Sequence, residues 1–128
     1  MSEARQCLCT GGLKLVFSCS GASDTAETGD RAARLVSRSG EAKMYCLAGV
    51  GGDVDMIVNN TRAAARLLVI DGCETDCAAK LLRRNGFEAF EHLRVTDLGF
   101  EKGKSPVTDE SIARVAEEAI ARLRIEEN

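Results

Sequence analysis

One stretch, Leu67-Leu68-Val69-Ile70-Asp71-Gly72-Cys73-Glu74-Thr75-Asp76-Cys77, constrains the fold of this chain more than any other. Four consecutive apolar residues, half of them β-branched, predict a short strand buried on both faces, as in the interior of a parallel sheet. Asp71-Gly72 stops the run, Gly72 allows a sharp turn, and Cys77-Ala78-Ala79-Lys80-Leu81-Leu82-Arg83-Arg84 has helical spacing. Thr75 or Asp76 is placed to cap that helix, whose unpaired amides favour negative charge. If the helix has begun at Cys73, then Cys73 and Cys77 share one side of its first turn, where the cost of a thiolate falls. Two thiolates there can hold a metal; two small, inert core residues would explain the same letters.

The same grammar recurs along the chain. Leu13 to Ser18 reads as a strand, Cys19-Ser20-Gly21-Ala22-Ser23-Asp24 as a turn, and Ala26 to Ser39 as a helix ended by Gly40. A second strand is expected near 43–47, with Cys46 toward its carboxyl end, then Gly49-Val50-Gly51-Gly52-Asp53 and a helix from Asp53 to Ala65 that Asn59-Asn60-Thr61 weakens. Strands three and four are expected at 67–71 and 91–95, and Thr108-Asp109-Glu110-Ser111 opens a last amphipathic helix. Strict strand–helix alternation predicts a three-layer α/β domain. Its open parallel sheet would have about four strands in the flavodoxin-like or Rossmann-like order 2-1-3-4, with helices on both faces and right-handed crossovers.

The 128 residues suit a single domain, with 1–12 as an amino-terminal tail carrying Cys7 and Cys9. The charge of −3 is spread without a cationic block, which argues against nucleic acid as a partner. With no apolar run of membrane-spanning length and no signal-peptide core, a cytoplasmic protein is expected. The Asn59-Asn60-Thr61 sequon is then a coincidence, and six cysteines point to metal or thiol chemistry rather than to disulfides.

In a parallel sheet every strand-to-helix turn lies on the carboxyl edge, where such folds bind ligands. Cys19, Cys46, Cys73 and Cys77 all map to that edge. Strand spacing brings the ends of three neighbouring strands within about 10 Å, near enough for loop residues to converge on one ion. Four thiolates would surround zinc at about 2.3 Å each. The C-x26-C-x26-C-x3-C spacing is not that of two zinc knuckles, so the shared edge carries the argument.

Cys19-Ser20-Gly21, Cys46-Leu47-Ala48-Gly49-Val50-Gly51, Asp71-Gly72-Cys73 with Cys77, and Thr96-Asp97-Leu98-Gly99 together resemble the DGC-domain family, over about Leu13 to Val115. The resemblance implies a small prokaryotic zinc-binding protein whose chelating residues are Cys19, Cys46, Cys73 and Cys77, without an established catalytic activity. Cys7-Leu8-Cys9-Thr10-Gly11-Gly12 resembles a C-x-C-G-G opening of some relatives, which makes Cys7 and Cys9 accessory ligands. Two other chemistries stay open: a thiol redox or sulfur-handling enzyme using Cys73 or Cys77, and an iron–sulfur cluster on the same donors.

The remaining residues carry less. Gly49 to Asp53 lacks the G-x-G-x-x-G spacing and the Walker lysine of a phosphate loop. His92, the sole histidine, falls in the last strand and is expected to be structural and away from the ligand edge. No Ser-His-Asp or Cys-His pairing can be assembled around it, so no catalytic constellation is evident. Asp71 and Asp97 end strands; Asp71 is expected to bond backbone amides of the cysteine loops rather than act as an acid or base.

Overall fold

The computed structural model describes residues 13–125, so Cys7 and Cys9 lie outside the described residues. Strand β1 (Lys14–Ser18) leads to α1 (Asp24–Ser39), β2 (Lys43–Met44), α2 (Leu47–Gly51), α3 (Asp55–Ala63), β3 (Arg66–Asp71), α4 (Cys77–Arg84), β4 (Glu91–Arg94), a 3₁₀ turn at Val95–Leu98 and α5 (Asp109–Leu123). All strands are parallel and their order is β2-β1-β3-β4. This is the expected α/β sheet.

Alternation along β1 and β3 divides the core. Val16, Leu68 and Ile70 face α1 and α5, where Ala32, Ala33, Val36, Val115, Ala119 and Leu123 close the layer. Leu15, Phe17, Leu67 and Val69 face the other way, onto Val50, Ala78, Leu82 and Phe87. Small alanines on α1, α4 and α5 let the helices sit close to the sheet, while each fully buried Phe17, Leu68 or Leu82 contributes about 1.5–3 kcal/mol. Helix ends follow local chemistry: Ser23 accepts the Ala26 amide at the start of α1, Gly40 ends that helix at φ 88°, and Thr108 and Ser111 form a reciprocal capping box on α5.

Three expectations need correction. The second strand stops at Met44 rather than 47, because Cys46 already caps α2, its Sγ accepting the Gly49 amide at 3.3 Å. Gly49 lets this extra helix pack closely on α3, since a Cβ there would lie 2.3 Å from Ile57 Cδ1. Asn59-Asn60-Thr61 does not interrupt α3: Thr61 Oγ1 donates to the Ile57 carbonyl at 2.8 Å, and Asn60 Nδ2 donates to Tyr45 Oη at 2.8 Å. Asn60 thus finds its partner outside the helix, and Thr61 satisfies its hydroxyl by i−4 back-bonding that the helix tolerates. The last strand ends at Arg94, where the chain tightens into the 3₁₀ turn closed by Gly99 at φ 97°.

Among the described residues no helix is long and apolar enough to cross a membrane.

Candidate metal and thiol site at the carboxyl edge

Where β3 leaves the sheet, Asp71 is 1% exposed and its carboxylate faces α4. Oδ1 accepts the Ala78 amide at 2.8 Å and Oδ2 accepts the Ala79 amide at 3.1 Å. Asp71 therefore performs the capping that the sequence assigns to Thr75 or Asp76. Asp76 does occupy the residue before the helix, but at φ 59° its side chain caps nothing. Its two oxygens instead accept Arg94 Nε and Nη2, both at 2.7 Å, and that guanidinium holds the Asp76 carboxyl below the usual carboxylate range while its own pKa is raised. Asp is one of the few non-glycine residues that adopts this left-handed backbone as a single residue.

Gly72 serves a different purpose from the one its letter suggests. It does not use a left-handed φ; a Cβ on it would lie 2.7 Å from the Ala26 amide nitrogen and 2.8 Å from the Ala26 Cα. The Asp-Gly-Cys turn thus packs backbone against backbone on the first turn of α1, and no larger residue fits there. That packing draws the β3 turn onto the β1 turn, and Cys19 Sγ accepts the Gly72 amide at 3.4 Å.

Between these turns lies a cleft of about 350 Å³ lined by Cys19, Cys73 and Cys77 together with Gly21, Thr75 and Lys102. Cys46 does not line it; it stands exposed at the head of α2. The thiols differ in kind. Burial pushes the Cys19 thiol up, against the lowering effect of the Gly21 and Gly72 amides, with negative charge at Asp71 and Cys77 adding to the rise. Cys73 is shifted down, first by the Thr75 hydroxyl 3.4 Å away, then by the Thr75 amide, with Lys102 adding positive charge. As a thiol Cys73 donates to that hydroxyl; as a thiolate it accepts from it.

Lys102 Nζ lies 3.7 Å from Cys73 Sγ, and the loop that brings it there is fastened from below. Asp24, the first residue of α1, accepts the amides of Gly103 at 2.9 Å and Ser105 at 3.0 Å. Those amides, that of Gly103 foremost, hold the Asp24 carboxyl below its ordinary value. Within the loop, the Glu101 amide donates to Ser105 Oγ at 2.7 Å.

His92 corrects the sequence expectation. It is not away from the edge: Nε2 lies 2.8 Å from Asp71 Oδ2 and 3.6 Å from Asp76 Oδ1. Register explains this, since β4 pairs His92 with Val69 and Arg94 with Asp71, so both polar side chains share Asp71's face of the sheet. The alternation His92-Leu93-Arg94-Val95 in the sequence carried a signal that His92 and Arg94 share a face, but not which residues they meet.

Among the described residues, Asp71, Asp76 and His92 are the donors whose ligand atoms all lie within 4.8 Å of one another. This group is a lock rather than a metal cage. The Asp71 oxygens already serve two amides and His92, both Asp76 oxygens serve Arg94, and the guanidinium would repel a cation. The thiols fit a soft metal by chemistry and by sharing one cleft, though their sulfurs stand wider apart than that group; ligation by all three requires the turns to draw together.

Residues 15–119 match the family model of the DGC domain. The chain belongs to the DGC-domain family. Among relatives, the anaerobic and virulence modulator AnvM of Pseudomonas aeruginosa is 37% identical over 90 residues, which cover 70% of this chain and 69% of that protein. No solved structure matches. In this DGC-domain chain the Asp-Gly-Cys residues have separable tasks: Asp71 caps α4, Gly72 admits α1, and Cys73 enters the cleft.

Proposed function

We propose that this DGC-domain chain is a metal-binding protein that holds zinc through thiolates at the carboxyl edge of its sheet. Cys19, Cys73 and Cys77 are its central donors; Cys46 stands outside the cleft, and Cys7 and Cys9 are accessory thiols of the same proposal. The observation that carries this reading is that cysteines from two separate strand–helix turns line one cleft. Nearby amides and Lys102 supply partial and full positive charge against the negative charge of several thiolates. A cytoplasmic setting keeps such thiols reduced.

A second reading rests on the surroundings of Cys73, with the Thr75 hydroxyl at 3.4 Å and Lys102 Nζ at 3.7 Å favouring its thiolate: a thiol-based redox or regulatory protein in which Cys73 reacts and Cys77 or Cys19 resolves it. The name of the relative, an anaerobic modulator, suits either reading, because zinc thiolates and free thiolates both respond to oxidants. An iron–sulfur cluster on the same donors is the third.

Anaerobic purification followed by elemental analysis and a visible spectrum separates them. Colourless protein with one zinc per chain, lost in Cys19→Ser, Cys73→Ser and Cys77→Ser, supports the proposal. Brown protein with iron and sulfide replaces zinc by a cluster. Metal-free protein with one fast-alkylating thiol at Cys73 favours the redox reading.

A further inference from the structure

Resting on the second reading, in which Cys73 is the reacting thiol, we infer that residues 99–106 form a strap latched over the cleft by Asp24, and that its Lys102 makes Cys73 select small anionic electrophiles over neutral ones. Both ends of the strap are fixed. Gly99 closes the 3₁₀ turn at φ 97°, Phe100 packs on the layer between α1 and α5 with Arg114 over its ring at 5.3 Å, and Ser111 Oγ donates to the Pro106 carbonyl at 3.4 Å. The middle is held differently. Among the described residues, the hydrogen bonds that tie 101–105 to other elements are those of the Gly103 and Ser105 amides to Asp24 and that of Lys102 to Cys73. The others are internal: the Glu101 amide to Ser105 Oγ and the Lys104 amide to the Glu101 carbonyl.

The charges on and around the strap are sorted. Glu101 and Lys104 face each other at 3.6 Å in solvent, so neither cancels Lys102, which among the described residues is the one cation that lines the cleft. The two carboxylates of the cleft are engaged, Asp71 with the Ala78 and Ala79 amides and His92, Asp76 with Arg94. Glu74, exposed beside Cys73, does not line the cleft. An anion approaching Cys73 therefore meets an ammonium 3.7 Å from the sulfur, and a unit charge at about that range in water favours it roughly fivefold. Asp24 touches neither the thiol nor the cleft, so it is a positioning residue that acts through Lys102.

The test compares iodoacetate with neutral iodoacetamide on the metal-free full chain at low ionic strength, with alkylation of Cys73 followed by peptide mapping. In each reaction the Cys73 thiolate forms a sulfur–carbon bond, the carbon–iodine bond breaks and iodide leaves with the electron pair. The thiolate fraction multiplies both rates and cancels in their ratio. Relative to a free cysteine peptide, the wild type should favour iodoacetate about fivefold. Lys102→Met should abolish that preference and Lys102→Arg restore it, while Lys43→Met, which removes the same charge away from the cleft, should leave it in place. Asp24→Ala should lower the preference although it removes a negative charge, and should change nothing further in the Lys102→Met background. A wild-type ratio equal to that of the peptide, or one that Lys102→Met leaves unchanged, overturns the selectivity. An Asp24→Ala variant that keeps the ratio, or that still lowers it without Lys102, overturns the latch. A Cys73 that reacts with neither reagent overturns the thiol reading itself, and the inference falls with it.

Discussion

His92 Nε2 and Asp71 Oδ2 meet at 2.8 Å across the last two strands, and through this contact β4 is tied to the helix that carries Cys77. Asp71 is the shared member, bonded to two α4 amides on one side and to an imidazole on the other. The position of Cys77 at the head of α4 therefore depends on residues from three elements.

Replacing Asp71 by Ala leaves the Ala78 and Ala79 amides and His92 without their acceptor in a buried setting. Bonds to a charged acceptor contribute about 1.5–3 kcal/mol, and buried donors left unmade add to the loss, so the variant should lose about 3–4 kcal/mol in urea denaturation. A loss below about 1 kcal/mol would show that water satisfies those amides and that the lock is not structural.

Gly72→Ala should be costly although its φ is ordinary. The added methyl meets α1 backbone at 2.7 Å, which cannot rotate away, so a loss of about 2–3 kcal/mol is expected. Gly86→Ala is the control: at φ 91°, with nothing near its Cβ, it should cost only the left-handed penalty of about 1–2 kcal/mol. Thermal denaturation of the pair checks the contrast, and equal losses would contradict the packing role of Gly72.

Acid should release the Lys102 loop. Asp24 is depressed in the folded state, so its stabilising contribution is fully present above the ordinary carboxylate value near pH 4 and is lost as pH falls through its lowered folded value. The Gly103 and Ser105 amide resonances should titrate together with a midpoint below that of a free aspartate. In Asp24→Asn this common titration should vanish; if it persists, another group controls the loop.

Zinc bound to thiolates of the folded chain should stabilise it. Zinc at one hundred times its dissociation constant contributes about 2.7 kcal/mol, and its return to metal-free protein should release protons from the thiols. Calorimetric scans with and without chelator measure the first, and titration in buffers of different ionisation enthalpy the second. A Cys19→Ser/Cys73→Ser/Cys77→Ser variant should show neither response.

The sequence by itself determined the architecture, because hydrophobic period is a local property. The apolar run Leu67–Ile70, its counterpart Leu13–Phe17 and the helical spacing of Ala32, Ala33 and Val36 each specify which faces need covering, and strand–helix alternation leaves few ways to cover them. It also placed Cys19, Cys46, Cys73 and Cys77 on one edge, since the polarity of a parallel sheet puts all its strand-to-helix turns there, but not that Cys46 would stand outside the cleft the other three line. Only the tertiary structure decided what each residue touches. That Asp71 rather than Asp76 caps α4, that Gly72 is required for clearance rather than for φ, and that His92 reaches the edge all follow from register and close packing between segments distant in the chain. Period-two patterning sets a side chain's face, but its partner depends on how strands align and how near a helix descends, and those distances exist only once the whole sheet has closed on its helices.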